Sequence, residues 1–180
     1  GALLGTASLR RSVQLLNLRP DLKVGNLRGN VDTRLRKLAE GQVDATVLAL
    51  AGLKRLGRGD GGGTVLSVDE MLPAPAQGAV CIESRIGDDR VTTFLAAIDH
   101  ADTACAVSAE RALLKVLDGS CRTPIAALAR LENDDGLSLD ALVAPPDGSK
   151  IWRRQRRGDE ADAERIGAEL GAELKRLAGG

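Results

Sequence analysis

The first third of the chain alternates between short apolar runs and segments whose apolar residues recur every three or four positions. Runs of the first kind are typical of strands, and the periodic segments are typical of amphipathic helices. In chain order, the pattern predicts strands at 2–7, 23–27 and 44–50, and helices from Ser8 to Arg19, Val31 to Ala39 and Gly52 to Leu56. Strands that alternate with helices favour a parallel, doubly wound sheet. Residues 1–72 are therefore predicted to form an α/β domain.

A different pattern begins near residue 101. Segments rich in strand-forming residues are separated there by the turn sequences Asn133-Asp134-Asp135-Gly136 and Asp147-Gly148, which is typical of antiparallel strands. The predicted strands are 124–131, 137–144 and 150–157. Periodic apolar positions predict helices at 103–117 and 160–177. The unit 101–180 is therefore predicted to be an α+β domain.

Residues 73–100 connect the two predicted domains. Pro73-Ala74-Pro75 is a stiff segment, the apolar run 79–83 predicts a further strand, and 90–99 predicts a helix. The predicted fold class is α/β. It consists of a parallel α/β layer of the periplasmic-binding-protein type, followed by a small α+β domain with three antiparallel strands.

Composition changes this picture in two ways. The 180 residues carry no net charge, and aromatic residues make up 1% of the chain. Because single-stranded nucleic acids bind largely through stacking on aromatic side chains and through positive charge, a nucleic-acid partner is not expected. The first 60 residues nevertheless hold eleven Lys and Arg against five Asp and Glu, a net charge of +6. This asymmetry favours a local anion site, with an arginine-rich helix surface as the alternative.

Candidate anion ligands follow the first two predicted strands. Thr6, Ser8, Arg10 and Arg11 come after the first strand, and the Arg28 turn follows the second, with Arg34 one helical turn further on. Ligands of open α/β sheets usually bind at the carboxyl ends of the strands, where helix N-termini favour anions. Arginine adds bidentate, charge-assisted hydrogen bonds. The pattern predicts an anion site and leaves open phosphate, sulfate and carboxylate.

The cysteines point to a reducing compartment. Cys81, Cys105 and Cys121 are odd in number and lack CxxC spacing, and no secretory signal or apolar run near 18 residues is apparent. A cytoplasmic location without a membrane partner is therefore expected. His100 is the single histidine, so no metal site is expected.

Cys121 differs from the other two cysteines in its setting. It lies in the loop sequence Gly119-Ser120-Cys121-Arg122-Thr123-Pro124, where Arg122 would favour the thiolate. Cys81 and Cys105 lie in a predicted strand and a predicted helix and are expected to be small core residues. A loop cysteine is more often inert than functional, so the residues alone leave its role open.

Six motifs occur in an order that resembles one family. They are GTASLRR (5–11), LRGNVDTRLRKL (27–38), DATVLALAGLKRLG (44–57), LPAPAQGAV (72–80), AERALL (109–114) and GSCRTPIA (119–126). Together with APPDGSKI (144–151), they resemble the porphobilinogen deaminase family, also called hydroxymethylbilane synthases, over practically the whole chain.

The resemblance implies a transferase of porphyrin and heme biosynthesis. Such an enzyme condenses four porphobilinogen molecules into hydroxymethylbilane, with release of ammonia at each step. A dipyrromethane primer is joined through a thioether to a cysteine, and Cys121 has the matching position. The growing polypyrrole carries acetate and propionate groups. The residues that would bind these groups by match are Thr6, Ser8, Arg10, Arg11, Arg28 and Arg34.

The resemblance implies three further features. Arg28 would assist proton transfer to the leaving amine, and Gln77 and Gly78 would line the cleft between the first two family domains. No counterpart of the family's N-terminal domain, which carries a catalytic aspartate, is found in residues 1–180. The segments 1–72, 73–100 and 101–180 would then be family domain 2, a strand and helix returning to domain 1, and the cofactor-attachment domain. The alternative is a non-catalytic α/β module that binds small anions.

Overall fold

The computed structural model describes residues 1–59, 63–118, 123–132 and 136–179. Its first part alternates strands and helices, as the sequence predicts. The elements are β1 (Leu3–Gly5), α1 (Leu9–Leu18), β2 (Lys23–Gly25), α2 (Val31–Ala39), β3 (Ala45–Thr46) and α3 (Leu50–Arg55). The Val31–Ala39 helix agrees with its predicted bounds, and Gly41 follows it with a φ of +72°, which is typical of a helix C-terminus.

The three short strands form a parallel sheet in the order β2-β1-β3. Leu4 pairs with Val24 on one side and with Ala45 on the other. Gly5 is required at the end of β1, because a Cβ there would lie 2.8 Å from Leu27 Cδ2. The predicted parallel α/β layer is thus confirmed.

The C-terminal part forms an antiparallel sheet under two helices. Strands β4 (Ile125–Glu132), β5 (Gly136–Val143) and β6 (Trp152–Asp159) pair in that order. Helices α4 (Asp89–Ala96) and α5 (Ala101–Val116) precede the sheet, and a 3-10 turn (Glu160–Asp162) and α6 (Ala163–Leu177) follow it. The predicted α+β unit with three antiparallel strands is confirmed. Residues 119–122 and 133–135, which hold the predicted cysteine loop and part of a predicted turn, lie outside the described residues.

The core of this part lies between the sheet and the helices α5 and α6. Alternate residues of β5 point into it, and Leu113, Leu170 and Leu174 of the helices are fully buried against them. The helices approach closely at Gly167, where a Cβ would lie 2.1 Å from Ala109 O. Within the described residues, no helix has the length and apolar character that a membrane crossing requires.

Two sequence expectations are wrong in detail. The buried strand expected at 44–50 is only the two-residue β3, because β1 offers just Leu4 and Gly5 as partners and the chain enters α3 at Leu50. The strand expected at 79–83 is not formed, and Val80 is 79% exposed. A strand needs a neighbour for its backbone hydrogen bonds, and no described strand pairs with this segment. Cys81 is accordingly exposed rather than in a core.

Candidate functional site: an arginine cluster at the parallel sheet

The carboxyl end of β1 leads directly into the candidate site. The Thr6 N–H donates to Gly25 O at 2.9 Å and so extends the parallel pairing by one residue. Thr6 is buried, and its Oγ1 accepts a hydrogen bond from Ser8 N at 3.1 Å. This local turn places Ser8 at the N-cap position of α1.

The Ser8 side chain does not make the expected capping bond. Ser8 has the extended backbone of an N-cap, yet its hydroxyl accepts no hydrogen bond from the first turn of α1. Asn30, at the start of α2, does so in the usual way, since its Oδ1 accepts from Thr33 N at 2.9 Å. The two helix starts therefore differ, since a side chain caps α2 but not α1.

Arg10 and Arg11 lie on the first turn of α1, half-buried. Arg11 Nη1 donates to Val47 O at 3.0 Å, just after β3. Arg10 Nε is buried and has no hydrogen-bond partner among the described residues. Burial lowers the pKa of Arg10, and the charge of Arg11 lowers it further. Since arginine stays protonated in proteins, Arg10 holds a half-buried positive charge with one unused, buried donor.

Arg34 belongs to the same cluster although it lies on α2. Its Nε donates to Gly29 O at 2.8 Å, which fixes it over the turn after β2. Gly29 has a φ of +127°, and a Cβ there would lie 2.7 Å from Thr33 Cγ2, so the turn requires glycine. Burial lowers the pKa of Arg11, and the charge of Arg34 is the second cause.

Arg28 stands at the rim of the cluster. It is exposed, and its Nε lies 3.4 Å from Asn26 Oδ1. Lys37 Nζ donates to Arg28 O at 3.3 Å and adds a further positive charge to the turn. None of Arg10, Arg11, Arg28 and Arg34 forms an ion pair with a carboxylate in the described part of the chain.

Gln77 and Gly78 lie in the connector, whereas Arg11 and Arg34 donate hydrogen bonds to residues of the first 47 positions. Gln77 is exposed and borders a cavity of about 350 Å³ between the connector, α5 and β4. Its Oε1 accepts a hydrogen bond from Ala74 N at 3.4 Å, and Gly78 has a φ of +100°. Cys121 and Arg122 lie outside the described residues, so the attachment position stays a prediction.

Two buried polar residues near the site were missed by the sequence reasoning. Gln14 and Glu110 are 4% and 5% exposed, and they hydrogen-bond to Leu72 and Ala76, on either side of the start of the connector. A signal for Glu110 exists in the sequence, since a carboxylate interrupts the apolar stripe Ala106, Leu113 and Leu117 of α5. Gln14 gave no comparable signal, because a glutamine on a surface helix is ordinary.

Unpaired arginines at the carboxyl edge of a parallel sheet are typical of α/β proteins that bind small anions. Comparison with known proteins makes this class specific. Residues 1–93 match the family model described as "Porphobilinogen deaminase, dipyromethane cofactor binding domain", and residues 104–176 match "Porphobilinogen deaminase, C-terminal domain". The chain belongs to the porphobilinogen deaminase family.

Curated relatives agree with this assignment. The porphobilinogen deaminase of Nitrobacter winogradskyi is 52% identical over 179 residues, which are 99% of this chain and 56% of the relative. The chloroplastic porphobilinogen deaminase of Oryza sativa subsp. japonica is 52% identical over 181 residues, 99% of this chain and 51% of the relative. The porphobilinogen deaminase of Sorangium cellulosum is 53% identical over 180 residues, which are 98% of this chain and 60% of the relative. The chain thus spans about half the length of the relatives it matches.

Proposed function

We propose that this chain is the cofactor-carrying part of a porphobilinogen deaminase, the enzyme that condenses porphobilinogen into hydroxymethylbilane. Arg10, Arg11 and Arg34 bind carboxylates of the dipyrromethane and of the growing polypyrrole, and Cys121 holds the cofactor through a thioether. The observation that carries the proposal is the cluster itself. The charge of Arg11 lowers the pKa of Arg10, the charge of Arg34 lowers the pKa of Arg11, and Arg10 Nε is buried without a partner among the described residues.

The donor set fits a ligand rich in carboxylates. Guanidinium groups bind carboxylates through paired, charge-assisted hydrogen bonds. Arg28, at the rim, and the Thr6 and Ser8 hydroxyl groups add donors at the N-terminus of α1, whose dipole favours negative charge. An anion bound there would cancel the repulsion between the arginines and give Arg10 Nε its missing acceptor. The same residues thus explain both a cost in the free protein and a gain on binding.

The family model over residues 1–93 is named for dipyrromethane binding, whereas Cys121 falls within the C-terminal match, 104–176. The proposed site therefore draws on both parts of the chain. When bound, the dipyrromethane supplies the primer on which porphobilinogen units are condensed. Thioether formation requires the Cys121 thiolate, which Arg122 would favour. Arg28 is proposed to assist proton transfer to the departing amine, as the family resemblance implies, and its exposed side chain leaves the guanidinium accessible to a ligand.

A complete enzyme is proposed to need the family's N-terminal domain as a partner. An exposed apolar surface supports this: Ile86 is fully exposed, and Phe94 of α4 is 70% exposed. Such a surface is typical of an interface. In this proposal, residues 1–72 are family domain 2, with a periplasmic-binding-protein-like layer, and residues 101–180 are the attachment domain. Residues 73–100 return to domain 1, and Gln77 and Gly78 line the cleft between domains 1 and 2. A cytoplasmic location belongs to the same proposal.

A calorimetric titration with porphobilinogen tests the carboxylate site. Removing one charge-assisted hydrogen bond costs about 1.5–3 kcal/mol, so Arg11→Leu should weaken binding by about 10- to 100-fold. Arg36→Leu is the matched control, because Arg36 is an exposed arginine of α2 that faces Glu40. Equal affinities of the wild type and Arg11→Leu would contradict the assignment. Reversible binding in a chain whose Cys121 never becomes modified would favour a non-catalytic anion-binding module.

A further inference from the structure

Leu72, the residue just before the connector 73–100, is hydrogen-bonded to the arginine-bearing helix α1 through both of its backbone groups. Its N–H donates to Gln14 Oε1 at 2.8 Å, and its C=O accepts from Gln14 Nε2 at 3.1 Å. The same Nε2 donates to Arg10 O at 3.1 Å. The Gln14 amide thus pairs with Leu72 as a neighbouring strand would, and it links the connector directly to the backbone of Arg10.

The side chain of Leu72 is held by the other part of the molecule. It is 1% exposed and packs on Ala126 of β4 and Leu142 of β5, on the sheet face opposite α5 and α6. The next residue continues this attachment, since Pro73 O accepts from Ala127 N at 3.1 Å. One short segment is therefore fixed to α1 by hydrogen bonds and to the antiparallel sheet by packing.

Glu110 fixes the far end of the same segment. Its Oε1 accepts from Ala129 N at 2.7 Å, at the free edge of β4, and its Oε2 accepts from Ala76 N. Ala76 has a φ of +59°, a conformation that costs a non-glycine residue about 1–2 kcal/mol. The buried carboxylate of Glu110 stabilises this turn, which immediately precedes Gln77 and Gly78.

From these contacts we infer that Gln14 and Glu110 are positioning residues. They hold the segment 72–76, at the start of the connector, from its two sides and so set the orientation of the α1 arginines relative to the α+β domain. The functional meaning rests on the proposed function, in which the arginines and Cys121 hold opposite ends of one ligand. A ligand attached at one domain and bound at the other requires a fixed spacing, because small displacements of reacting groups cost large factors in rate.

Residual dipolar couplings of backbone amides test this inference, since they report the orientation of each domain against one alignment frame. The variants are Gln14→Leu and Glu110→Gln. The controls are Gln42→Leu and Glu164→Gln, both at exposed positions. In the wild type and the controls, one alignment tensor should fit both sheets. In the two test variants, each sheet should still fit its own coordinates, while the two sheets require different tensors.

Hydrogen exchange gives the second readout. Exchange protection of the Leu72 amide in Gln14→Leu should fall by at least about tenfold, because each lost hydrogen bond of this kind weakens closure by about that factor. Gln14→Glu keeps an acceptor for Leu72 N–H but loses the hydrogen bonds that Nε2 donates to Leu72 O and Arg10 O. This variant replaces Gln14→Leu in both measurements if Gln14→Leu does not fold. A single tensor in the test variants overturns the inference, and so does loss of fit within one sheet. Failure of the wild type to bind porphobilinogen would instead overturn the proposed function and leave this result unaffected.

Discussion

The charge of Arg34 lowers the pKa of Arg11, although the two residues lie on different helices. The turns after β1 and β2 bring these guanidinium groups together at one edge of the parallel sheet. No carboxylate of the described residues forms an ion pair with either. These like charges, together with the buried, unpaired Nε of Arg10, are the features on which the proposed anion site rests.

The first prediction concerns stability without ligand. Arg10→Met keeps an unbranched side chain as far as the position of Nε, but it removes the half-buried positive charge and the unpaired Nε donor. It should raise the free energy of unfolding by about 1 kcal/mol, the lower end of the cost of an unsatisfied buried donor. For a chain of this size, that corresponds to a rise in Tm of about 2–4 °C. Thermal unfolding in an anion-poor buffer at low ionic strength measures it.

The second prediction concerns the stabilisation that a bound ligand provides, which Arg10→Met should partly lose. Porphobilinogen should raise the Tm of the wild type more than that of Arg10→Met, so the advantage of the variant shrinks as ligand concentration increases. Arg36→Met is the control and should change neither value noticeably. A lower Tm for Arg10→Met in the anion-poor buffer would contradict the account of Arg10 as a strained, unpaired charge.

The two helix starts should respond differently to loss of their N-cap side chains. Asn30→Ala removes a capping bond to Thr33 N and should cost about 1 kcal/mol. Ser8→Ala removes no capping bond and should change the free energy of unfolding by less than about 0.5 kcal/mol. Denaturant unfolding of the two variants provides the comparison. A cost for Ser8→Ala equal to that of Asn30→Ala would show that Ser8 caps α1 after all.

Porphobilinogen titration of these variants completes the comparison. Ser8→Ala should bind more weakly than the wild type, because its hydroxyl is assigned to the ligand. Asn30→Ala should affect binding less, since its side chain is engaged within α2.

The close crossing of α5 and α6 predicts a strong effect of one methyl group. In Gly167→Ala the new Cβ would lie 2.1 Å from Ala109 O, and such overpacking costs about 1–3 kcal/mol or more. Gly52→Ala in α3 is the control, because its Cβ meets only Val31 Cγ2, at 3.9 Å. That change should stabilise the chain by about 0.5–1 kcal/mol. Comparable Tm values for the two variants would contradict the described helix packing.

Glu110 should make stability depend on pH. Burial raises the pKa of Glu110 above its ordinary value of 4.5, against the opposing effect of the hydrogen bonds from Ala129 and Ala76. The folded state then binds more protons than the unfolded state between the ordinary and the raised pKa. Stability from this group is therefore present below that window and is lost as pH rises through it. The unfolding free energy of the wild type minus that of Glu110→Gln, followed from pH 4 to 7, should therefore decrease as the pH rises. A flat difference would contradict burial as the dominant cause.

Much of the fold was predictable because local patterns agree with the final packing. Leu137, Leu139, Ala141 and Val143 alternate along β5, and all four are buried against the helices. The convergence of Arg11 and Arg34 follows from the rule that parallel strands end at one edge. Both expectations need only periodicity and topology.

The remainder depends on contacts that a linear pattern does not contain. The run 79–83 is apolar enough for a strand, yet no described strand pairs with it, so the chain there stays irregular. The hydrogen bonds of Gln14 and Glu110 depend on the segment 72–76 that packs against them, and a linear pattern does not contain this contact. The missing capping bond of Ser8 likewise depends on the local turn at Thr6 rather than on residue type.

The central claim is that this chain carries the dipyrromethane on Cys121 beside an arginine site. Intact-mass spectrometry tests it on the chain joined to the expected N-terminal domain, taken from the Nitrobacter winogradskyi relative, after incubation with hydroxymethylbilane. The account predicts one dipyrromethane mass increment on the wild type, none on Cys121→Ser, and a smaller loaded fraction on Arg11→Leu. An unmodified wild type, or the same increment on Cys121→Ser, would contradict it.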